Sequence, residues 1–472
     1  MIPARWQPVL DEVRPLADAF SARGHSLYLV GGVVRDLLAG RDHPGGHPDI
    51  DLTTEARPDE IQAVLAPLAD ALWDQGARYG TIGAKVGGRT FEVTTHRADS
   101  YDPDSRKPTV TFGDDIVADL SRRDFTVNAM AVRLRRGDTA EPELIDPFDG
   151  ATDLLAGRLR TPQSPDVAFT DDPLRMLRAA RFVAGYHLEP DAELVAAVRR
   201  HVDRLTIVSA ERIRDELDKL LVVADPSAGL WFVVDTGLAE GFLPELSTMR
   251  LEQDPIHRHK DVLAHTIAVV AKTQPERIVR LAALLHDVGK PKTRSIGPNG
   301  VSFHHHEVVG ARMARDRMQA LRYPADDVDV VRRLVYLHLR FHTYAMGWTD
   351  AAVRRFVRDA GDHLERLIEL TRCDVTTRNK AKAERLARRM DELEARIIKL
   401  RATEELRAMR PDLDGRQVMD HLGVGPGRHV GDALAALLEL RLDKGPLGEE
   451  EAYRRLDLWW ADQTRSGPPA PS

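Results

Sequence analysis

Two carboxylates flank an isoleucine in Asp49-Ile50-Asp51, downstream of the apolar, glycine-ended run Ser26-Leu27-Tyr28-Leu29-Val30-Gly31-Gly32. In a strand, residues two apart point to the same side, so Ile50 faces a core and both carboxylates face one spot. They repel each other unless a cation sits between them. Gly31 and Gly32 free backbone N–H groups to approach an anion closely, with a helix N-terminus behind them. A divalent cation beside a phosphate cradle is the equipment of phosphoryl or nucleotidyl transfer. Glu92, in the strand-like Phe91-Glu92-Val93-Thr94-Thr95, is a candidate third carboxylate and reads equally well as an exposed strand acid.

Further along, Arg122-Arg123-Asp124-Phe125-Thr126-Val127-Asn128 joins two cations to an acid, a group able to hold a triphosphate and a ribose hydroxyl. Asp153-x3-Gly157-x2-Arg160 reads as a turn-like hinge. In Asp171-Asp172-Pro173-Leu174-Arg175, Pro173 suits the first turn of a helix and the aspartates suit its cap and dipole. Asp172 and Arg175 share a helix face. An acceptor beside a fork of donors complements an exocyclic amine next to a bare ring nitrogen, the edge that cytosine and adenine present. The same pair also reads as a helix cap with an intrahelical salt bridge.

A second series is rich in imidazole: His265, His286-Asp287, His304-His305-His306, His338 and Asp374, spread over several expected helices. Imidazole and carboxylate ligands together suit Zn, Mn, Fe or Ni better than Mg alone.

These residues need elements to position them. Apolar spacing predicts strands at 26–34, 48–53, 81–86, 89–95 and 128–136, with helices at 7–22, 33–40 and 58–70. From Pro173 the pattern is helical: 173–184, 191–201, 209–224, 226–237, 261–273, 276–287, 306–319, 326–338, 350–359, 362–371 and 378–408. The expected fold class is therefore α+β and multidomain. A small mixed α/β head (1–161) precedes a helical neck and body (162–253), a helical domain (254–376) and a helical C-terminal region (377–472) with a disordered tail. The polar segment Thr95–Asp119 reads as a long structureless loop of functional type.

At 472 residues the chain is too long for one core. It is 43% hydrophobic and 30% charged, the balance of a soluble globular protein, and no apolar run approaches the roughly 18 residues of a membrane span. A lone cysteine, Cys373, excludes an internal disulfide framework and cysteine-rich zinc sites, and a cytoplasmic location is the simplest expectation. The net charge of −7 argues against a surface that coats nucleic acid uniformly. Residues 353–410 nevertheless carry 16 Lys/Arg against 11 Asp/Glu, either a solvated face or a phosphate-tracking helix. Oligomeric state is left open.

Taken in order, Gly31-Gly32-x2-Arg35-Asp36, Asp49-Ile50-Asp51, Arg122-Arg123-Asp124, Asp153-x3-Gly157-x2-Arg160, Asp171-Asp172-x2-Arg175 and Ser209-Ala210-Glu211-Arg212-x3-Glu216 resemble the bacterial-type (class II) CCA-adding tRNA nucleotidyltransferases and their poly(A) polymerase relatives. The resemblance covers roughly residues 20–250. It implies a polymerase β-like head in which Asp49 and Asp51 bind Mg2+. Gly31, Gly32, Arg35, Arg122, Arg123, Asp124, Asn128 and Arg178 would hold the nucleotide, and Asp172 and Arg175 would read C or A. The family usually has Glu-Asp where this chain has Asp171-Asp172. Members that add only CC lack a flexible loop between these motifs, so Thr95–Asp119 points to complete CCA addition, or at least to A addition. The implied partners are tRNA, CTP and ATP, with no membrane.

The histidine series resembles the HD phosphohydrolase domain over about residues 259–375. There His265, His286, Asp287 and Asp374 match the core ligands of a divalent transition metal (Mn2+, Ni2+, Zn2+ or Fe2+). His306 and His338 match positions that complete a second metal or hold phosphate. The resemblance implies phosphoester hydrolysis, including action on tRNA 3′ ends; the alternatives are a poly(A) polymerase, a partial CC- or A-adding enzyme, or a hydrolase with a non-catalytic RNA-binding head.

Overall fold

The computed structural model describes residues 4–41, 50–102, 105–135, 143–251, 261–297, 300–375, 380–404 and 410–465. Asp49 therefore lies outside the described residues. The chain divides into two compact units, Met1–Ser247 and Thr248–Ser472.

The first unit begins with α1 (Gln7–Ala22), β1 (Leu27–Val30), α2 (Gly32–Ala39), β2 (Ile50–Thr54), α3 (Pro58–Leu65), β3 (Ala71–Trp73), β4 (Thr81–Val86) and β5 (Arg89–Thr95). A hairpin follows, β6 (Arg97–Asp102) with β7 (Ser105–Phe112), then α4 (Ile116–Ser121), β8 (Ala131–Leu134), β9 (Glu143–Ile145) and α5 (Gly150–Ala156). Seven strands make one sheet in the order β3-β4-β5-β2-β1-β8-β9. Only β2 and β5 run parallel in it; the other neighbours are antiparallel. Strand alternation sorts the side chains as period 2 requires. Leu27, Leu29, Ile50 and Leu52 enter the main core with Val13, Leu16 and Phe20 of α1, while Tyr28 and Val30 join a smaller cluster with Leu120 and Ala131.

Two expectations about this unit need correction. The strand expected over 26–34 stops at Val30, because Gly31 turns the chain at φ +71° and Gly32 opens α2. The continuous apolar run Leu27–Val34 hides that change of period. Thr95–Asp119 is not a structureless loop: β6 and β7 pair antiparallel, with a register shift between Ser100 and Asp102. The β-branched run Thr109-Val110-Thr111 favours that outcome. The hairpin base is packed tightly, since a Cβ on Gly80 would lie 2.8 Å from the Phe112 ring.

The helical part of the unit comprises α6 (Pro165–Asp171), α7 (Leu174–Tyr186), α8 (Ala192–His201), α9 (Ala210–Leu221), α10 (Ser227–Asp235) and α11 (Leu238–Phe242), with α12 (Pro244–Thr248) at the boundary. Helix α7 is central; Met176, Leu177, Ala180 and Ala184 are buried, at the spacing of one apolar face. A Cβ on Gly229 of α10 would stand 2.4 Å from the Ala180 carbonyl, so only glycine lets α10 approach α7 so closely.

The second unit is nearly all helix: α13 (Val262–Lys272), α14 (Arg277–Leu285), α15 (Lys290–Thr293), α16 (His306–Ala320), α17 (Ala325–Leu337), α18 (Asp350–Ala360), α19 (Leu364–Asp374), α20 (Lys380–Glu404), α21 (Gly415–Leu422), α22 (Arg428–Lys444) and α23 (Glu449–Arg465). A short hairpin, Arg294–Gly297 with Gly300–Phe303, interrupts it. Many of the cations in 353–410 are tied to acids: Arg358 to Glu439, Arg366 to Glu276, Arg372 to Asp391 and Glu394, and Arg396 to Asp350. Among the described residues, no helix is long and apolar enough to cross a membrane.

Candidate functional site

In the first unit the sheet presents its acids as alternation predicts. Ile50 and Leu52 are buried and Asp51 between them is exposed. Parallel pairing sets Asp51 directly opposite Glu92, also exposed, so the candidate third carboxylate stands one strand away on the same face. A Cβ on Gly31 would lie 3.1 Å from Arg123 Nη1 and 3.8 Å from Asp51 Oδ2. The glycine turn, the strand acid and one of the paired arginines thus converge. Any side chain at Gly31 would occupy that convergence, and its left-handed φ disfavours one in any case.

Asp119, which sequence reading did not single out, holds the arginines. Fully buried, it accepts from Arg122 Nη2 at 2.7 Å and from Arg123 Nη2 at 3.3 Å. Burial alone would raise its pKa, but the charges of Arg123 and Arg122 hold it below the ordinary carboxylate value. The signal was in the sequence: Asp119 is three and four residues before Arg122 and Arg123, the spacing of neighbours on a helix.

Behind this face runs a buried polar chain. Arg35 donates to Asp36 Oδ1 at 2.8 Å and to Asn128 Oδ1 at 2.5 Å, and it also bonds the Tyr186 hydroxyl while stacking over that ring. Asn128 Nδ2 in turn donates to Asp124 Oδ1 at 2.9 Å, and Arg178 Nε donates to Asp124 Oδ2 at 2.8 Å. Arg178 and Arg181 both reach Glu216, at 3.6 and 2.9 Å. Burial opposes ionisation of Asp124, yet Arg178 and Asn128 hold its carboxyl far below the ordinary range. Glu216 is lowered likewise, against burial, by Arg181, Arg178 and Lys219. Depressed acids of this kind contribute stability above the ordinary carboxylate range and lose it on acidification. Arg35 is therefore buried within this polar chain, bonded to Asp36, Asn128 and Tyr186.

Removing Glu216 would leave Arg178 and Arg181 without that acid. We expect Glu216→Ala to destabilise α7 by about 2–3 kcal/mol, less than a fully buried pair because both arginines keep some water contact. Faster hydrogen–deuterium exchange across Leu174–Tyr186 is the readout, with Glu216→Gln intermediate.

Asp172 and Arg175 sit where α6 ends and α7 begins. Asp172 Oδ1 accepts from Leu174 N, the first residue of α7, at 3.1 Å, and Oδ2 accepts from Arg212 of α9 at 3.1 Å. Arg175 is buried and donates to the carbonyls of Ala168 and Arg122. The bond to Arg122 fastens the start of α7 onto the Arg122–Asp124 segment. Asp153, fully buried, accepts from Thr126 Oγ1 and Arg160 Nε, both at 2.8 Å, and Gly157 closes α5 at φ +66°. The expected hinge is thus a brace under Thr126.

The second unit gathers its histidines from five elements: His265 on α13, His286 and Asp287 after α14, His306 opening α16, His338 ending α17, and Asp374 closing α19. A Cβ on Gly289 would lie 2.2 Å from the His306 carbonyl, so glycine permits the close approach of the His286-Asp287 turn to α16. His286, His306 and His338 each present Nδ1 to a carbonyl three residues back, those of Ala283, Phe303 and Val335. Those contacts orient the three rings and turn every Nε2 inward. Two clusters of ligand atoms result, His265/His286/Asp374 and Asp287/His306/His338. His304 and His305 remain exposed.

The donor set fits a metal. His265 Nε2 is 2.9 Å from Asp374 Oδ1 and 3.3 Å from His286 Nε2, and His286 Nε2 is 3.2 Å from Asp287 Oδ2. Ligand atoms about 2.1 Å from one ion are roughly 3.0–3.4 Å apart in tetrahedral or octahedral geometry. The buried Nε2 atoms of His306 and His338 make no hydrogen bond. Asp287 stands between the clusters, with Oδ2 toward His265 and His286 and Oδ1 3.4 Å from His306. Burial works against charge on His286, but Asp287 and Asp374 push its pKa up to about 10. Burial and the neighbouring His286 push His338 down to about 3. Lys290 donates to Asp287 Oδ2 at 2.7 Å, which gives that lysine a partner within the site.

Three family models match parts of these units. Residues 27–160 match the Poly A polymerase head domain, 187–249 the probable RNA and SrmB- binding site of polymerase A, and 262–400 the HD domain. The chain belongs to the tRNA nucleotidyltransferase family built on that head. It is 33% identical over 456 residues to the A-adding tRNA nucleotidyltransferase of Deinococcus radiodurans, covering 92% of this chain and 96% of that one. It is 37% identical over 238 residues to the CCA-adding enzyme of Limosilactobacillus reuteri, half of this chain and 55% of that relative. In fold it is similar to the Bacillus stearothermophilus CCA-adding enzyme solved in complex with CTP, with a TM-score of 0.69 at 22% identity, covering 98% of this chain and all of that one.

Proposed function

We propose that the first unit extends tRNA 3′ ends with C, C and A from CTP and ATP, without a nucleic-acid template, in the cytoplasm. The observation that carries this is the docking of α7 on the Arg122–Asp124 segment, through Arg175 to the Arg122 carbonyl and Arg178 to Asp124. On this reading Asp172 and Arg175 would read the base next to the segment that would hold the phosphates and ribose. Asp49 and Asp51, with Glu92 beside Asp51, would hold Mg2+, which when bound stabilises charge at the α-phosphate and eases ionisation of the 3′-hydroxyl. Arg123, at the Gly31 turn, neutralises the triphosphate, and Asp119 keeps that arginine aimed. Arg175 has donors beyond the two spent on carbonyls, and Asp172 supplies the acceptor that C and A require.

In the second unit His265, His286, Asp287 and Asp374 would hold a divalent transition metal (Mn2+, Ni2+, Zn2+ or Fe2+), with His306 and His338 completing a second position. Such a metal polarises a phosphoester and activates water. Hydrolysis of phosphoesters, including those at damaged tRNA 3′ ends, is the reading for this centre.

A second reading for the head, addition of A alone, is favoured by one observation: the relative aligned over 92% of this chain is A-adding. Two transcripts separate the readings, one lacking CCA and one ending in CC, each incubated with Mg2+, CTP and ATP before 3′-end sequencing. We expect C, C and A on the first and A on the second. Extension of the CC-ended transcript alone would establish A addition, and a long A tract would sink both readings.

A further inference from the structure

The cations of the basic stretch 353–410 divide into two groups. Arg358, Arg366, Arg372 and Arg396 each hold an acid remote in sequence. Arg385, Arg388 and Arg389 on α20 hold none. Among the described residues their side chains make no ion pair or hydrogen bond, although Glu384 and Glu392 stand one turn either side of Arg388. Residues 380–389 carry five Lys/Arg and one Glu, and the first turn of α20 has no acid. These cations therefore crowd the end of a helix whose dipole favours anions. Mutual repulsion and the dipole both oppose that arrangement, and a polyanion laid on this end would relieve both.

Helix α20 presents the group outward. Its buried stripe is Met390, Leu393, Ile397 and Leu400. Helical periodicity sets Arg388 opposite that stripe, with Arg385 beside it and Arg389 at the margin. Arg385 and Arg388 are accordingly exposed and Arg389 half-buried. Positions i, i+3 and i+4 have Cβ atoms about 5–6 Å apart, so the three arginines make one patch. Arg372 of α19 fixes the helix that carries it, donating to Asp391 at 2.7 Å and through Nε to Glu394 at 2.9 Å.

Resting on the reading of the head as a unit that extends tRNA, we infer that this patch is an RNA-contacting surface that takes phosphates of the tRNA backbone. Guanidinium forks suit phosphate oxygens. A convex helix face suits an extended polyanion rather than a small ligand that must be enclosed. Among the described residues of 380–389, the exposed side chains are charged or alanine, with no large apolar group to enter a lipid surface. The patch lies in the stretch matched to the HD domain, outside residues 187–249 that match the RNA-binding model.

The test measures binding of a tRNA transcript ending in CC to the full-length chain, by fluorescence anisotropy over a range of KCl concentrations. Each phosphate contact contributes about 0.7–0.9 to the slope of log affinity against log salt. The triple variant Arg385→Gln/Arg388→Gln/Arg389→Gln is expected to flatten that slope by about 2 and to weaken binding about tenfold at low salt, with unchanged thermal melting. The triple replacement by lysine keeps the charge and should keep the slope within about 0.5. In ATP-dependent extension of the same transcript, the glutamine variant should raise KM for tRNA about tenfold and leave kcat and KM for ATP within about twofold. If the unmodified chain binds no tRNA, the reading of the head fails together with this one. If it binds and the glutamine variant binds equally, only this inference falls. Equal loss of slope in the lysine variant also overturns it, because charge would then not be what the patch supplies. Loss of binding to phosphatidylserine vesicles with tRNA affinity intact would assign the patch to lipid instead.

Discussion

Asp51→Ala is expected to cut nucleotide addition to tRNA by about 10³-fold or more, a barrier increase of about 4 kcal/mol, without altering phosphoester hydrolysis in the second unit. Asp51 is exposed, so its removal spares the core that Ile50 and Leu52 build on the other side of the strand. What it removes is the carboxylate facing both the Gly31 turn and Glu92. Because the side chain is exposed, the fold should tolerate the substitution with little change in melting while activity collapses. That divergence is the signature of a metal ligand. Single-turnover incorporation with Mg2+ and unchanged thermal melting would confirm it. Incorporation within tenfold of the unmodified chain would remove Asp51 from the catalytic assignment.

The same strand illustrates what sequence can and cannot reveal. Alternation about Ile50 placed Asp51 outward because period 2 is a local property of the backbone. Helices were equally legible wherever an apolar stripe had to be buried. In α18, Val353, Phe356, Val357 and Ala360 recur at helical spacing and are all buried. Local pattern failed where a tertiary partner decided the outcome. Gly31 ends β1 inside an unbroken apolar run, and only its approach to Arg123 and Asp51 explains the turn. The β6–β7 hairpin has too polar a sequence to announce a strand pair, yet Phe112 finds a seat against Gly80.

Among the functional residues, type and order were readable but commitment was not. Arg35 carries the same charge as Arg123, and nothing local says that its guanidinium is enclosed by Asp36, Asn128 and Tyr186. Asp172 shares a helix face with Arg175 in sequence, yet its carboxylate is held by Arg212, 40 residues on. Such pairings are set by which helices pack together. The histidine series was more legible in one respect: residues far apart in the chain, picked by type and order alone, come together in two clusters that could hold a metal.

Asp287 is where that second centre is most vulnerable. Its two carboxylate oxygens face different clusters, Oδ2 toward His265 and His286 and Oδ1 toward His306. A side chain placed between two ligand groups controls both, whereas His265 or His338 belongs to one. We therefore expect Asp287→Asn to weaken metal binding at both clusters by more than about tenfold and to abolish hydrolysis. His338→Gln should reduce only the occupancy of its own cluster. Metal content per chain by elemental analysis distinguishes these outcomes, and it does so without relying on turnover. His304→Ala, at an exposed position outside both clusters, should leave metal content unchanged. The pair Lys290–Asp287 sharpens the expectation, because neutralising Asp287 also strands a lysine that is only 15% exposed. Part of any stability lost in Asp287→Asn would then return in the double substitution with Lys290→Met, while metal content would not. Recovery of metal in the double variant would mean that the carboxylate serves Lys290 and not the ions.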